Sequence, residues 1–215
     1  ISMLGSDSQG MGRIGESILR TWQLASKNKV QRGRLPEETG SNDNKRVLRY
    51  LAKYTINPAI TFGIDDYVGS LREGRLADIV IWRSTFFGAK PDTIIKGGFI
   101  AWSVMGDANA SLMTCEPILY KPQYGARGNN VNRTSRIFVT KAAIEHGLKE
   151  RLPFSREKLL PVKNTRHLTK SDMMFNNYCP NIRIDPETYE VFVDEQLITC
   201  EPAKILPLAQ KYFFR

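Results

Sequence analysis

The chain has 215 residues, 41% of them hydrophobic and 25% charged, with a net charge of +9. That length can hold one or two domains with a sizeable core, the composition is ordinary for a soluble globular protein, and no apolar run is long enough to cross a bilayer. Lys and Arg are spread along the chain without a block of five or six, so the charge alone gives no nucleic-acid interface.

The chain opens on a short apolar run, Ile1 to Leu4, which reads as the end of a strand. Ile1 is no initiator and no basic region or apolar signal core follows it. The chain is therefore expected to be the C-terminal part of something longer. A polar turn follows, Gly5-Ser6-Asp7-Ser8-Gln9-Gly10-Met11-Gly12-Arg13, in which Gly5, Gly10 and Gly12 allow sharp bends and close approach. Met11, Ile14, Ile18, Trp22 and Ala25 then recur at steps of three and four, which predicts a helix to about Lys27. Asp7 thus sits where a strand delivers a side chain to the mouth of an α/β unit, a place where ligands gather. Two readings of Asp7 stay open on spacing alone: an oxygen ligand for a cation, or a cap for the helix. Met11, the first residue of that spacing, reads as core packing.

Lys27, Lys29, Arg32 and Arg34 form a basic connection after that helix, and Pro36 to Asn44 reads as a loop. Asn42 or Asn44 is placed to cap a second helix with Val47, Leu51 and Tyr54 on one face. Asn57-Pro58 opens a short third helix. Ile79 to Trp82 reads as a buried strand, with Gly69 and Gly74 bracketing a turn between strands before it. Asp78, at the strand entrance, is expected to bond nearby backbone rather than to act as an acid. Thr93 to Trp102 predicts two strands around Gly97-Gly98.

Further on, Gly125 to Thr134 reads as a loop, Arg136 to Thr140 as a strand and Lys141 to Glu150 as a short helix. Leu159 to Lys163 reads as another strand, Asn181 to Asp185 and Tyr189 to Asp194 as a hairpin, and Ala203 to Tyr212 as a last helix. Phe213 and Phe214 then form an anchored tail or dock on a neighbour. The histidines are His146, at a helix end, and His167, on the surface, and neither has ligand spacing. Cys115, Cys179 and Cys200 are odd in number and lack a Cys-x-x-Cys pair, which argues against a zinc site or disulfide framework and fits a reducing, cytoplasmic setting. The glycines at 10, 12 and 15 lack Gly-x-Gly-x-x-Gly spacing, so no dinucleotide site is expected.

The run Ser6-Asp7-Ser8-Gln9-Gly10-Met11-Gly12-Arg13-Ile14-Gly15-Glu16 closely resembles the end of the barrel in the catalytic (alpha) subunits of the ureases. The resemblance continues through Lys29 to Gly33, Glu37 to Gly40, Asn42 to Asn44, Tyr54 to Ala59 and Glu201 to Ala203, and so covers essentially the whole chain. Gly69 to Val80 also resembles the strands by which the wider metal-dependent amidohydrolases return from barrel to β-domain. The fold class the resemblance implies is α/β plus β. Residues 1–63 would form the last β/α unit of a TIM-type barrel, 64–107 the returning strands, and 108–215 a urease-type mixed α+β segment.

The resemblance implies hydrolysis of urea to ammonia and carbamate by two nickel ions bridged by a carbamylated lysine and held by four histidines and one aspartate. Of these ligands only the aspartate falls within this chain, as Asp7, so the chain alone is expected to be inactive. The resemblance further implies a urea contact at the Gly10 carbonyl, where the family more often has alanine, and Met11 near the pocket or its flap. The implied partners are smaller urease subunits or fused equivalents, a trimeric or larger assembly and nickel-loading accessory proteins. Two rivals remain at this point: another amidohydrolase acting on a cyclic amide or ureide, and a basic binding module without activity.

Overall fold

In the computed structural model, the described residues are 2–104, 128–152, 158–202 and 204. The predicted final helix, Phe213, Phe214 and Cys115 lie outside them.

The first helix, α1, runs over Ile14–Arg32. It buries Trp22 and Ala25 completely, the two residues that the three-and-four spacing had assigned to its inner face. The helix does not stop near Lys27. It ends at Gly33, which takes φ 72° and donates its N–H to the Lys29 carbonyl at 2.9 Å. Lys29 and Arg32 therefore belong to its last turn, where cations meet the negative end of the helix dipole, and are not a connecting loop.

Helix α2, Asn44–Ala52, packs against α1. Tyr50 joins Trp22 and Ala25 in the core, with Ile18, Val47, Leu51, Tyr54 and Phe87 packed round them. The Phe87 ring meets Trp22 edge-on at 4.6 Å, and Tyr54 does so at 6.3 Å. As expected, Asn42 serves the start of α2: its Oδ1 accepts the amide of Asn44, the first helical residue, at 3.4 Å. Glu38 takes the next two amides from the preceding loop, its Oε1 accepting those of Lys45 and of Arg46, the latter at 3.1 Å. Arg46, only 4% exposed, closes the same corner by donating to the Gly33 carbonyl at 2.6 Å and to Asp43 Oδ1 at 3.2 Å.

Helix α3, Ile56–Thr61, carries Asn57 and Pro58 in its first turn. After it, Gly69 and Gly74 take φ 95° and 82°, yet no strands flank them. The segment closes through one backbone bond, Leu76 N–H to the Tyr67 carbonyl at 2.8 Å.

Strands β1 (Ile79–Ile81), β2 (Thr93–Lys96) and β3 (Phe99–Ser103) form an antiparallel sheet in that order. Gly97-Gly98, at φ 56° and 86°, makes the tight turn between β2 and β3. The register shifts between Ile94 and Ile95 relative to β3, leaving Ala101 as a bulge. β1 is not the buried run its composition suggested, because Val80 is 48% and Ile81 46% exposed. Among the described residues β1 pairs only with β2, so nothing beyond that edge screens it. Asp78 behaves as expected at the strand entrance, its Oδ1 accepting the Gly97 amide at 2.9 Å and both oxygens accepting from Lys96 Nζ.

The stretch read as a loop before Thr134 holds a short helix, α4, over Asn130–Thr134, whose last hydroxyl bonds back to the Asn130 carbonyl at 2.9 Å. Strand β4, Ile137–Val139, pairs in parallel with β5, Leu159–Pro161. Between them the single predicted helix is two, α5 (Lys141–Glu145) and α6 (Leu148–Arg151), because Gly147 enters the left-handed region at φ 80°. Thr140 caps α5 by accepting the Ala143 amide at 3.2 Å.

The hairpin is present as β6 (Ile182–Ile184) and β7 (Val191–Val193), and a third strand, β8 (Gln196–Leu197), extends it. The region around β4 and β5 meets the end of the first segment at one seam. Lys163 donates its amide to the Gly63 carbonyl at 2.9 Å, and Tyr67 packs on Phe138 at 5.9 Å. The whole is mixed α/β, and the three sheets of the described residues are small and open, none closed into a barrel.

Candidate functional site

Ser2 to Leu4 is extended but is not a strand, because no neighbouring strand pairs with it among the described residues. It lies instead along the α2–α3 corner. Leu4 donates its amide to the Lys53 carbonyl at 2.8 Å, Lys53 Nζ donates to Ser2 Oγ at 2.7 Å, and Asn57 Nδ2 donates to the Ser2 carbonyl at 3.1 Å. The turn carrying Asp7 springs from this anchored run.

Asp7 takes φ 53°, a left-handed conformation that aspartate tolerates better than most residues. Its carbonyl accepts two amides, Gly10 at 3.1 Å and Gly12 at 2.7 Å, which folds residues 7–12 into a closed loop. Gly12 is indispensable to that loop, since a Cβ there would lie 1.3 Å from the Ser6 carbonyl oxygen. Gly5 faces open space. The Asp7 carboxylate is exposed, and its Oδ1 accepts from Gln9 Nε2 at 3.0 Å. It does not cap α1: the residue at the cap position is Arg13, whose side chain makes no capping bond among the described residues.

An open cleft of about 720 Å³ adjoins the turn, lined among others by Leu4, Ser6, Met11, Gly12, Arg13 and Arg20. Met11 is 94% exposed at its rim and so is not core packing. Arg20 is held by Glu16 at 3.4 Å and by Gln23 at 3.0 Å, so it is directed along α1. Gly10 is exposed beside Asp7.

A larger, mainly apolar groove of about 820 Å³ is lined by Leu51, Ile60, Val68, Leu76, Trp82 and Phe175 among others, and by no residue of the Asp7 turn. His146, which ends α5 as expected, and His167 are both exposed. Cys179 and Cys200 are free and exposed.

Among the described residues no group of three His, Cys, Asp or Glu side chains is placed to hold a metal ion. Asp7 is one oxygen donor, and a stable site for a divalent first-row ion needs several. The described residues therefore do not fit a metal centre by themselves. No helix among them is long and apolar enough to cross a membrane.

Two residues of this corner were not singled out as functional from the sequence. Asn57 was read as a helix opener and Lys53 not at all. Asn57 is fully buried and also donates to the Met174 carbonyl at 3.2 Å, while its Oδ1 has no partner among the described residues. Burial, with the nearby Lys170 charge adding to it, lowers the pKa of Lys53 from its ordinary value. Neither role has a signal in the sequence, since what marks them is burial and the partners their side chains reach.

The sequence model of the amidohydrolase family matches residues 1–131, more than half of the chain. Members of that family are hydrolases and are generally metal-dependent.

Proposed function

The chain belongs to the amidohydrolase family, and from that premise we propose that it is the C-terminal part of a urease catalytic subunit. The observation that carries this reading is the Asp7 turn. A carboxylate is presented outward from a closed loop, beside an open cleft, within the Ser6 to Glu16 run that resembles the ureases. In this reading Asp7 is one carboxylate ligand to nickel. The four histidines and the bridging lysine would come from parts of the catalytic subunit that precede Asp7. The exposed Gly10 carbonyl receives a urea amide N–H, and Met11 lines the pocket from the cleft rim. Metal ions held there would supply the hydroxide and the carbonyl polarisation that urea, a poor electrophile, requires. This chain supplies one ligand and a polar wall. The reading carries with it urease's smaller subunits or their fused equivalents, a trimeric or larger assembly, nickel-loading accessory proteins and a cytoplasmic setting.

The test is Asp7→Ala in the intact enzyme. Bound nickel per active site and urea hydrolysis are expected to fall together. Full activity in the variant would remove Asp7 from the site. Hydrolysis of cyclic ureides but not of urea by the unaltered enzyme would place the chain elsewhere in the amidohydrolase family. Steeply salt-dependent nucleic-acid binding without hydrolysis would favour a basic binding module.

A further inference from the structure

We propose that Asn57 and Lys53 are positioning residues that hold the Asp7 turn in register, and that Asn57 ties that turn to the C-terminal region. The proposal rests on the reading of Asp7 as a site residue, but its geometry stands independently.

Three bonds fasten Ser2–Leu4 to the corner between α2 and α3: Leu4 N–H to the Lys53 carbonyl, Lys53 Nζ to Ser2 Oγ, and Asn57 Nδ2 to the Ser2 carbonyl. Beyond Leu4 the chain bonds mainly to itself, through the two amides received by the Asp7 carbonyl. The direction in which Asp7 leaves the protein is thus set by how Ser2–Leu4 is held. The same Asn57 amide reaches the Met174 carbonyl, 117 residues away in sequence. Asn176 reinforces that link by donating to the Arg49 carbonyl on α2 at 3.0 Å. One buried amide group therefore sits where the Asp7 run, α3 and the C-terminal region meet.

Asn57 is also poorly chosen for packing alone. It is 0% exposed, and its Oδ1 is buried without a partner among the described residues. A buried acceptor left unpaired is costly, and an apolar side chain of similar size would avoid that cost. What the apolar side chain lacks is the two-pronged donor, which is the part of Asn57 the structure uses. Lys53 shows the same pattern, a partly desolvated ammonium directed at a serine hydroxyl.

The experiment is site-resolved hydrogen exchange on the intact protein, with metal content measured in parallel. Asn57→Leu removes both donors and the orphan acceptor together. Ser2→Ala removes only the hydroxyl that Lys53 reaches, and serves where Asn57→Leu fails to fold. Exchange of the Leu4, Gly10 and Gly12 amides is expected to rise roughly fivefold per lost bond, while amides in the middle of α1 keep their protection. Lys53→Met should reproduce the Ser2→Ala effect, and Lys53→Arg, which keeps a donor, should restore slow exchange. Loss of bound metal in step with the faster exchange supports both the positioning role and the reading of Asp7. Faster exchange with unchanged metal supports the positioning role and sinks the metal-ligand reading. An unchanged turn, or a uniform rise that includes α1, overturns the proposal.

Discussion

Two glycines three residues apart should respond to the same substitution with opposite signs. At Gly12 an added Cβ would lie 1.3 Å from the Ser6 carbonyl oxygen, 2.4 Å from the Ser6 carbonyl carbon and 2.7 Å from the Asp7 carbonyl carbon. All three atoms are backbone, so no rotamer change relieves the clash. Gly12→Ala must open the turn, and opening it breaks the two amide bonds to the Asp7 carbonyl. At about 1 kcal/mol net per bond, the loss is about 2 kcal/mol. Because the turn is exposed, local opening caps the penalty near that value. At Gly15, by contrast, nothing lies within 4 Å of the added methyl, and the residue is already helical. Gly15→Ala should stabilise by about 0.5–1 kcal/mol through helix propensity. The gap between the variants is then about 3 kcal/mol, roughly a hundredfold in the folding equilibrium. Guanidinium unfolding measures it, since urea is unsuitable as denaturant where it is the proposed substrate. Equal midpoints for the two variants would mean that the turn is not closed as described. Asp7→Asn is the control, since asparagine also tolerates the left-handed φ of 53° and leaves the backbone bonds intact, so it should cost little stability.

Trp22 is fully buried against Phe87 and Tyr54, so Trp22→Ala should cost about 3–5 kcal/mol in chemical denaturation. Burial raises the Tyr54 pKa to about 12, with the Trp22 N–H bond acting in the opposite direction. The stability Tyr54 contributes is therefore fully present below pH 10, the ordinary tyrosine value, and is lost as pH rises through about 12. Trp22→Phe removes the bond that favours phenolate, so ultraviolet titration should show Tyr54 ionising at still higher pH. Glu38→Ala should cost about 1 kcal/mol by uncapping α2, and Glu38→Gln, which keeps an acceptor oxygen, should recover part of it in thermal melts. A wild-type melting curve for Glu38→Ala would contradict that capping role.

The parts of the fold that were legible share one property: their signal is local. The Trp22 and Ala25 spacing marks the inner face of α1, and Gly97-Gly98 between β-branched runs marks a hairpin. The errors arise where a distant partner decides. The length of α1 depends on Gly33 leaving the helix, yet the basic residues before it resembled a loop. α2 is capped by Glu38 from a loop, which no local capping pattern reveals, because the acceptor lies seven residues before the amide it meets. For β1, composition suggested burial but the sheet supplies only one neighbour among the described residues. An apolar run says that a strand can be buried; its depth is set by what packs on it.

The site divides in the same way. Asp7, Gly10, Met11 and Gly12 are contiguous, so a motif can mark them, and the structure shows why the motif needs glycine at 12 while tolerating open space around Gly5. Asn57 and Lys53 lie about fifty residues from Asp7 in sequence and reach its anchoring run through side chains. Nothing in their spacing points there. An asparagine before proline has an adequate local explanation as a helix start, and that explanation hides the second role. What distinguishes the two is burial together with an unpaired acceptor, a combination that exists only in three dimensions. A motif search locates the group that touches chemistry, and the groups that aim it are found by asking which buried polar atoms are held at a cost and what their bonded side is holding.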